Sequence, residues 1–316
     1  MAWRPFRLAG VVLGAALLAP QPAFAQQPPT CDRACLTGLM DQYFAALAAH
    51  DARSLPLSND IKYTENGQAL ALTDGLWGTV KAAPSYRFDV VDPVAGEIAM
   101  LGIVREGSND NFISTRLKVE NRRITEIENL VVRSTGGGGP GFIRVALTEP
   151  HPLLREVEPE ARRLARDQLQ AIANAYFTGL DSETTGAGIP FDPACQRMEN
   201  GSWTASSPDP KAMEMARLDC KAQFDTGFQV IVTNIRARRF PVIDPEHGLI
   251  YALAFFDHNG TATSYGRPDG TQQEVTGVFS QPISFMIAEV FKVKDGKLRQ
   301  IEAVLTTVPY GMPSGW

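Results

Sequence analysis

The feature that most limits how this chain can fold is that it repeats itself. The stretch LMDQYFAALAAHDARSLPLSNDIKYTENGQAL, from Leu39, aligns with IANAYFTGLDSETTGAGIPFDPACQRMENGSW, from Ile172. Tyr43-Phe44 then matches Tyr176-Phe177, and Glu65-Asn66-Gly67 matches Glu199-Asn200-Gly201. Further on, YRFDVVDPVAGEIAML from Tyr86 aligns with RRFPVIDPEHGLIYAL from Arg238, and LKVENRRITEIENLV from Leu117 with FKVKDGKLRQIEAVL from Phe291. Matches in one collinear order mean one supersecondary plan built twice. The offset between copies grows from 134 to 152 to 174 residues, so the second copy carries two insertions. One surrounds Trp203 and Cys220; the other, NGTATSYGRPDGTQQEVTGVFSQP after Asp257-His258, reads as a long polar hairpin or flap.

Within each copy a helix comes first and strands follow. Leu36, Leu39, Met40, Tyr43, Phe44 and Leu47 recur at helical spacing, as do Leu164, Leu169, Ile172, Ala173, Tyr176 and Phe177. Runs such as QVIVTNIRARRFPVI, GLIYALAFFDH and ISFMIAEVFKVKDGKLRQIEAVLTTV are strand-like, and Asp295-Gly296 marks a hairpin turn. The expected fold is α+β: two tandem cone-shaped domains, each with N-terminal helices packed on a curved antiparallel sheet. The expected division is a signal peptide over 1–25, a first domain over 31–134, a Gly/Pro-rich linker over 135–160 and a second domain over 161–316.

The signal is read from a basic start (Arg4, Arg7), an apolar run from Leu8 to Ala19 too short to span a bilayer, and the cleavage pattern Ala23-Phe24-Ala25. Export, periplasmic or secreted, places Cys31, Cys35, Cys195 and Cys220 where disulfides persist. Of the three pairings, the one joining Cys195 to Cys220 is favoured because it closes a loop inside one region; a bridge between Cys31 and Cys35 is geometrically demanding. The formal charge of −5 becomes −7 once Arg4 and Arg7 leave with the signal. An acidic exported chain argues against nucleic acid or an anionic membrane surface as partner.

The opening DQYFAALAAHDARSL, the YTENG strand and turn, and the closing hairpin FKVKDGKLRQIE together resemble the nuclear transport factor 2-like, or SnoaL-like, superfamily. More narrowly, TENG, RRFPVIDPEHGLIYALAFFDH and IEAVLTTVPYGMPSGW resemble an exported tandem group known mainly as a domain of unknown function. The resemblance implies a cone whose apolar pocket holds a few acid, base and phenol groups, often without a cofactor. The superfamily spans isomerases, dehydratases, cyclases, lyases of lignin-derived diaryl compounds and non-catalytic binding modules, so fold does not choose among them. A carboxyl buried in such a pocket has a raised pKa and can serve as an acid or base near neutrality; ketosteroid isomerase does this with Asp and Tyr groups.

Polar residues on apolar faces are therefore the candidates. Ile287, Glu289, Phe291 and Val293 share one strand face, and Lys292 predicts that the other face reaches solvent. The bland reading of Glu289 is an ion pair with Arg238 or Arg239; its first-copy counterpart is Thr115. His258 and Asp257 end the strand GLIYALAFFDH on opposite faces, where the first copy has Glu106 and Arg105. Histidine suits proton transfer but also serves at strand ends as a turn hydrogen-bonder. Glu65 and Glu199 recur, which favours a structural role, although Glu199 lies in an elaborated loop beside Trp203. The histidines are dispersed without metal-ligand spacing, and no motif for a nucleotide, flavin or haem occurs.

The expected activity is a cofactor-independent lyase, dehydratase, decarboxylase or isomerase acting on a small apolar or aromatic molecule, with no metal. His258 or Glu289 would move the proton, with Asp257 a lesser candidate, and Tyr251 or Tyr310 would hydrogen-bond the developing oxyanion. Glu199, Trp203, Phe255, Phe291, Met312 and Trp316 would contact substrate. The rival is a binding or homodimerisation module; a metal-assisted hydrolase is a third reading. The tail VPYGMPSGW, too aromatic for a frayed end, either closes the pocket, which is preferred, or covers the neighbouring copy.

Overall fold

The computed structural model describes Met1 and residues 31–133, 146–181, 186, 188–267 and 269–316. The signal peptide and the Gly-rich part of the expected linker lie outside the described residues.

In the first copy, helix α1 (Arg33–Ala49) is followed by β1 (Leu57–Glu65), β2 (Gln68–Ala69), the short turn α2 (Leu76–Thr79), β3 (Val80–Asp92), β4 (Glu97–Glu106), β5 (Asn109–Glu120) and β6 (Arg123–Val132). In the second come α3 (Arg166–Asp181), β7 (Phe191–Glu199), β8 (Ser202–Ala205), α4 (Glu214–Arg217), α5 (Cys220–Asp225), β9 (Asn234–Asp244), β10 (Leu249–His258), the small hairpin β11 (Ser264–Gly266) and β12 (Gln272–Glu274), β13 (Ile283–Lys294) and β14 (Lys297–Val308). The sheet orders are β2-β1-β6-β5-β4-β3 and β8-β7-β14-β13-β10-β9, one topology drawn twice. The sheets are antiparallel except where β1 lies parallel to β6 and β7 to β14, a departure from the all-antiparallel expectation. The α+β class and the tandem arrangement stand.

Local chemistry explains the repeated punctuation. Asp32 caps α1 by accepting from the Cys35 N–H at 2.9 Å, and His50 ends it in the left-handed region. Asn66 and Asn200 both take positive φ, and the Nδ2 of each donates to a carbonyl of the closing strand, Val131 at 3.1 Å and Leu305 at 2.9 Å. One structural need therefore accounts for the recurrent Asn-Gly. Both disulfides are present: Cys195 to Cys220 ties β7 to α5, and Cys31 to Cys35 spans the first turn of α1.

Each sheet has an inner face covered by its own helix. Tyr43, Phe44 and Leu47 of α1 pack with Ile98, Met100, Ile113 and Ile127. Tyr176, Phe177 and Leu180 of α3 pack with Ile250, Ala252, Ile287 and Phe291. The outer faces pack on each other: Tyr86, Phe88, Leu101 and Phe112 of the first copy form one cluster with Tyr251, Leu253, Phe255, Val290 and Val304 of the second. The expectation that the Lys292 face reaches solvent is overturned. Lys292 is fully buried, and its Nζ donates to Glu158 Oε1 at 2.8 Å and to the carbonyls of Glu156 and His247. A buried ammonium needs that full set of acceptors. Glu156 and Glu158 belong to the stretch expected to be linker, which instead packs down, with Leu154 in the shared cluster.

The copies also exchange arginines. Arg166 of α3 forks onto Asp92 of the first copy at 2.6 and 2.7 Å, and Arg33 of α1 onto Asp244 of the second at 2.8 and 2.9 Å. Asp92 and Asp244 are equivalent positions of the repeat.

The tail runs onto the first copy. Trp316 Nε1 donates to Thr64 Oγ1 at 3.0 Å, and its ring lies 3.8 Å below Lys62 Nζ, with Arg116 and Arg239 also over it. Met312 reaches Gln68 and Gly67. The preferred reading, a tail closing the pocket, gives way to its alternative, because Lys62, Thr64, Gly67, Gln68 and Arg116 all lie on the first copy.

Candidate site on the inner face of the second sheet

The decisive geometry is one rung of side chains crossing four strands. In the first copy Glu65, Asn129, Thr115 and Met100 stand side by side on β1, β6, β5 and β4; in the second the equivalent rung is Glu199, Ala303, Glu289 and Ala252 on β7, β14, β13 and β10. The first rung is closed by its own hydrogen bonds. Thr115 Oγ1 donates to Asn129 Oδ1 at 2.7 Å, Asn129 Nδ2 donates to Tyr43 Oη at 2.8 Å, and Glu65 is held by the Leu76 N–H at 2.8 Å and by Arg133 at 2.6 Å. In the second rung Ala303 removes the amide that would have answered a polar neighbour, and Glu289 takes the place of Thr115.

Glu289 is therefore buried without compensation. Its exposure is 0%, and neither carboxyl oxygen has a hydrogen-bond partner among the described residues. The ion pair with Arg238 or Arg239 does not form, since Arg238 holds Asp181 and Arg239 holds Glu128 of the first copy. Burial, and then the charge of Glu199, push the Glu289 carboxyl well above the ordinary carboxylate range, against the pull of Arg197. Burial thus favours its protonated form.

Arg197 organises the rest. It donates through Nη1 to Tyr176 Oη at 3.1 Å, through Nε to Thr204 Oγ1 at 2.9 Å and through Nη2 to Gln223 Oε1 at 2.6 Å, and it pairs with Glu199 at 3.2 Å. Burial would lower its pKa, but Tyr176, Glu199 and Glu289 more than offset that, so the guanidinium stays charged. Around the Tyr176 ring, Phe291, Phe224 and Phe191 lie at centroid distances of 5.3, 5.9 and 6.2 Å. An acid without partners, a carboxylate on a fixed cation and a phenol thus share an aromatic enclosure. Arg197, Tyr176, Thr204 and Gln223 were absent from the sequence candidates. The repeat alignment carried the signal, for it sets Arg197 against Tyr63 and Ala303 against Asn129.

The other candidates separate from this group. His258 shares the inner face with Glu289, but it pairs with Ile283 whereas Glu289 pairs with Ala252; six residues of strand put the two roughly 20 Å apart. Tyr251 lies on the opposite face, its hydroxyl 2.8 Å from Ser114 Oγ of the first copy, so it does not reach the Glu289 enclosure. Asp257 is engaged by Arg236 at 2.8 Å and Ser284 at 2.5 Å, and Phe255 lies in the cluster between copies beneath Arg236. Trp203 pairs with Met198, away from Arg197 and Glu199. Tyr310 is 49% exposed, and Met312 and Trp316 belong to the tail on the first copy. Phe291 and Glu199 do line the enclosure. Elsewhere, Asp244, Glu246 and His247 bring ligand atoms within 4.8 Å of one another, with the Arg33 guanidinium bonded to both carboxylates.

The sequence profile of the family described as Domain of unknown function (DUF8021) matches residues 30–131 and 162–305. The chain belongs to this family. The two matched segments of DUF8021 correspond to the two copies. No curated protein matches the chain significantly. Among solved structures, AusH from Aspergillus nidulans aligns at 13% identity over 45% of this chain and 86% of its own, with a TM-score of 0.28. PrhC from Penicillium brasilianum NBRC 6234 aligns at 12% over 45% and 82%, also at 0.28. The C. albicans Mtr2-Mex67 M domain complex aligns at 16% over 45% and 96%, at 0.28. Likenesses this distant carry no argument about the chemistry of the DUF8021 site.

Proposed function

We propose that the second copy is a cofactor-independent acid/base enzyme, an isomerase or lyase, acting on a small apolar or aromatic molecule with a carbonyl or hydroxyl oxygen. The observation that carries this is Glu289, a buried acid without a partner, on a rung whose first-copy equivalent is fully hydrogen-bonded. Glu289, protonated, donates to the substrate oxygen as negative charge develops there. Glu199, fixed by Arg197, accepts the proton removed from the adjacent carbon. The two carboxyl-bearing strands flank β14, so their backbones stand roughly 10 Å apart across Ala303, a separation that suits a ligand lying between acid and base. A neutral acid and a carboxylate in one enclosure are the environment-made division of roles that acid/base catalysis at neutral pH requires. Ala252 and Ala303 beside Glu289 are smaller than Met100 and Asn129, which stand at the equivalent positions of the first rung. The first copy, its rung closed by hydrogen bonds, serves as scaffold.

The two disulfides fit an oxidising compartment, and the proposed location is periplasmic or secreted. The test is turnover of a panel of aromatic ketones, alcohols and acids, lignin-derived diaryl compounds included. Glu289→Gln and Glu199→Gln should each lower kcat by roughly 10²–10⁴-fold with folding intact. Turnover that survives both substitutions would remove the assignment. Ligand binding without any turnover would favour the non-catalytic binding module.

A further inference from the structure

His258 is a further buried polar group on the inner face of the second sheet with an unpartnered atom among the described residues. It is 2% exposed and ends β10 where the second insertion begins. Its Nδ1 lies 2.7 Å from the Ile231 carbonyl oxygen, which can only accept, so the proton of the neutral ring sits on Nδ1. Nε2 is left as a bare lone pair, and no protein donor reaches it among the described residues. Burial lowers the imidazole pKa to about 4, against the Ile231 hydrogen bond and the Asp257 charge, so the ring is an acceptor at neutral pH. Half of this histidine therefore performs the structural task of tying β10 to the segment at Ile231. The other half has no structural task.

The surroundings of that lone pair are aromatic. Phe279 and Phe285 stand with centroids 5.1 and 5.2 Å from the imidazole and 6.0 Å from each other. Ile231, Val232 and Val275 are buried in the same cluster. Phe285 is fixed on β13, but Phe279 belongs to the short turn Gly277–Ser280. That turn stands at the surface, with Val278 42% exposed, and Ser280 Oγ bonds back within it to Gly277 at 2.9 Å. A segment tied down so lightly opens at low cost, and Phe279 is the ring it would carry away from His258. The insertion has no counterpart in the first copy, which has Glu106 at the position of His258.

We infer that His258, Phe279 and Phe285 form a second ligand site beneath the insertion, one that takes a small phenol or aromatic alcohol whose hydroxyl donates to Nε2. The ring of the ligand packs between the two phenylalanines, in part replacing the contact Phe279 makes with the imidazole. The site lies roughly 20 Å along the sheet from Glu289, so it does not rest on the catalytic reading.

Phenol and toluene, equal in shape and differing in the hydroxyl, are the probes, with affinities measured by calorimetry on the full chain. The wild type should prefer phenol by about tenfold, the worth of one buried hydrogen bond. His258→Asn keeps a donor for Ile231 and removes the ring acceptor, and should bring the ratio near unity; Phe279→Ala should weaken both ligands; Glu289→Gln should change neither. Equal binding of phenol and toluene by the wild type would overturn the site, and so would an equal loss of phenol preference in Glu289→Gln. Should His258→Asn not fold, the nitrogen resonance of His258 Nε2 in the wild type decides: phenol should shift it and toluene should not, and a resonance unmoved by phenol would overturn the site.

Discussion

Three buried titratable groups give this protein a pH dependence whose sign differs from residue to residue. Glu302 stands between the copies, touched by Tyr86 Oη at 3.3 Å and Gln300 Nε2 at 3.3 Å, and burial lifts its carboxyl to about 7 against both hydrogen bonds. An unfolded glutamate titrates near 4.5. Between these values the folded state binds the extra proton, so Glu302 makes stability fall as pH rises from about 4.5 to about 7, by roughly 3 kcal/mol in all. Glu289 acts with the same sign, its folded pKa also being raised. His258 acts oppositely: its folded value of about 4 lies below 6.5, so the unfolded state binds the extra proton and stability is lost as pH falls through that window. Glu302→Gln should therefore abolish a downward slope, and its stability relative to wild type should grow as pH rises; urea melts in pH steps read this directly. A difference that does not change with pH would mean that Glu302 is already ionised in the folded protein.

Elements that join the copies carry their own predictions. Asp92 receives both Arg166 and the Ile243 N–H at 2.9 Å, and Asp244 receives Arg33. Removing the charge of either aspartate weakens a partly exposed arginine pair and should cost about 1 kcal/mol; Asp92→Asn should cost more than Asp244→Asn, because Arg33 keeps Glu246 at 2.7 Å. The tail makes a second joint. Deleting residues 309–316 uncovers the Lys62, Arg116 and Thr64 surface and removes the stacked Trp316, a loss of about 2 kcal/mol, equivalent to a Tm fall of about 5 °C. Turnover below the transition should be unchanged, since none of the tail contacts described touches the Glu289 enclosure. A tail deletion that abolishes activity while leaving Tm in place would return the tail to the pocket.

At the scale of the whole molecule, the outer face of each sheet is completed by the other copy, so the two repeats form one cooperative body. Calorimetry should show a single transition, and the fragment 146–316, expressed alone, should aggregate through the exposed Tyr251, Leu253, Phe255 and Val290 face. Two separate transitions would show instead that each copy is stable by itself and that the shared cluster contributes little.

The repeat, the helix-then-strand order and the apolar strand face carrying Glu289 were legible from residue order, because periodicity follows from backbone geometry that each segment possesses on its own. Alternation places Glu289 and Lys292 on opposite faces, but it is silent on what covers those faces. Lys292 reads as solvent-facing, yet it is buried because Glu158 and two carbonyls converge on it from distant segments. Tyr251 and His258 read as partners of one pocket, yet Tyr251 stands beside the Glu289 rung on the opposite face, and His258 lies six residues of strand away from it. Arg197 and Tyr176 became site residues only once β7 lay beside β14 and α3 crossed the sheet. A side chain's chemistry is fixed by its covalent structure, whereas its protonation, its partners and its access to a ligand depend on groups brought beside it by tertiary packing.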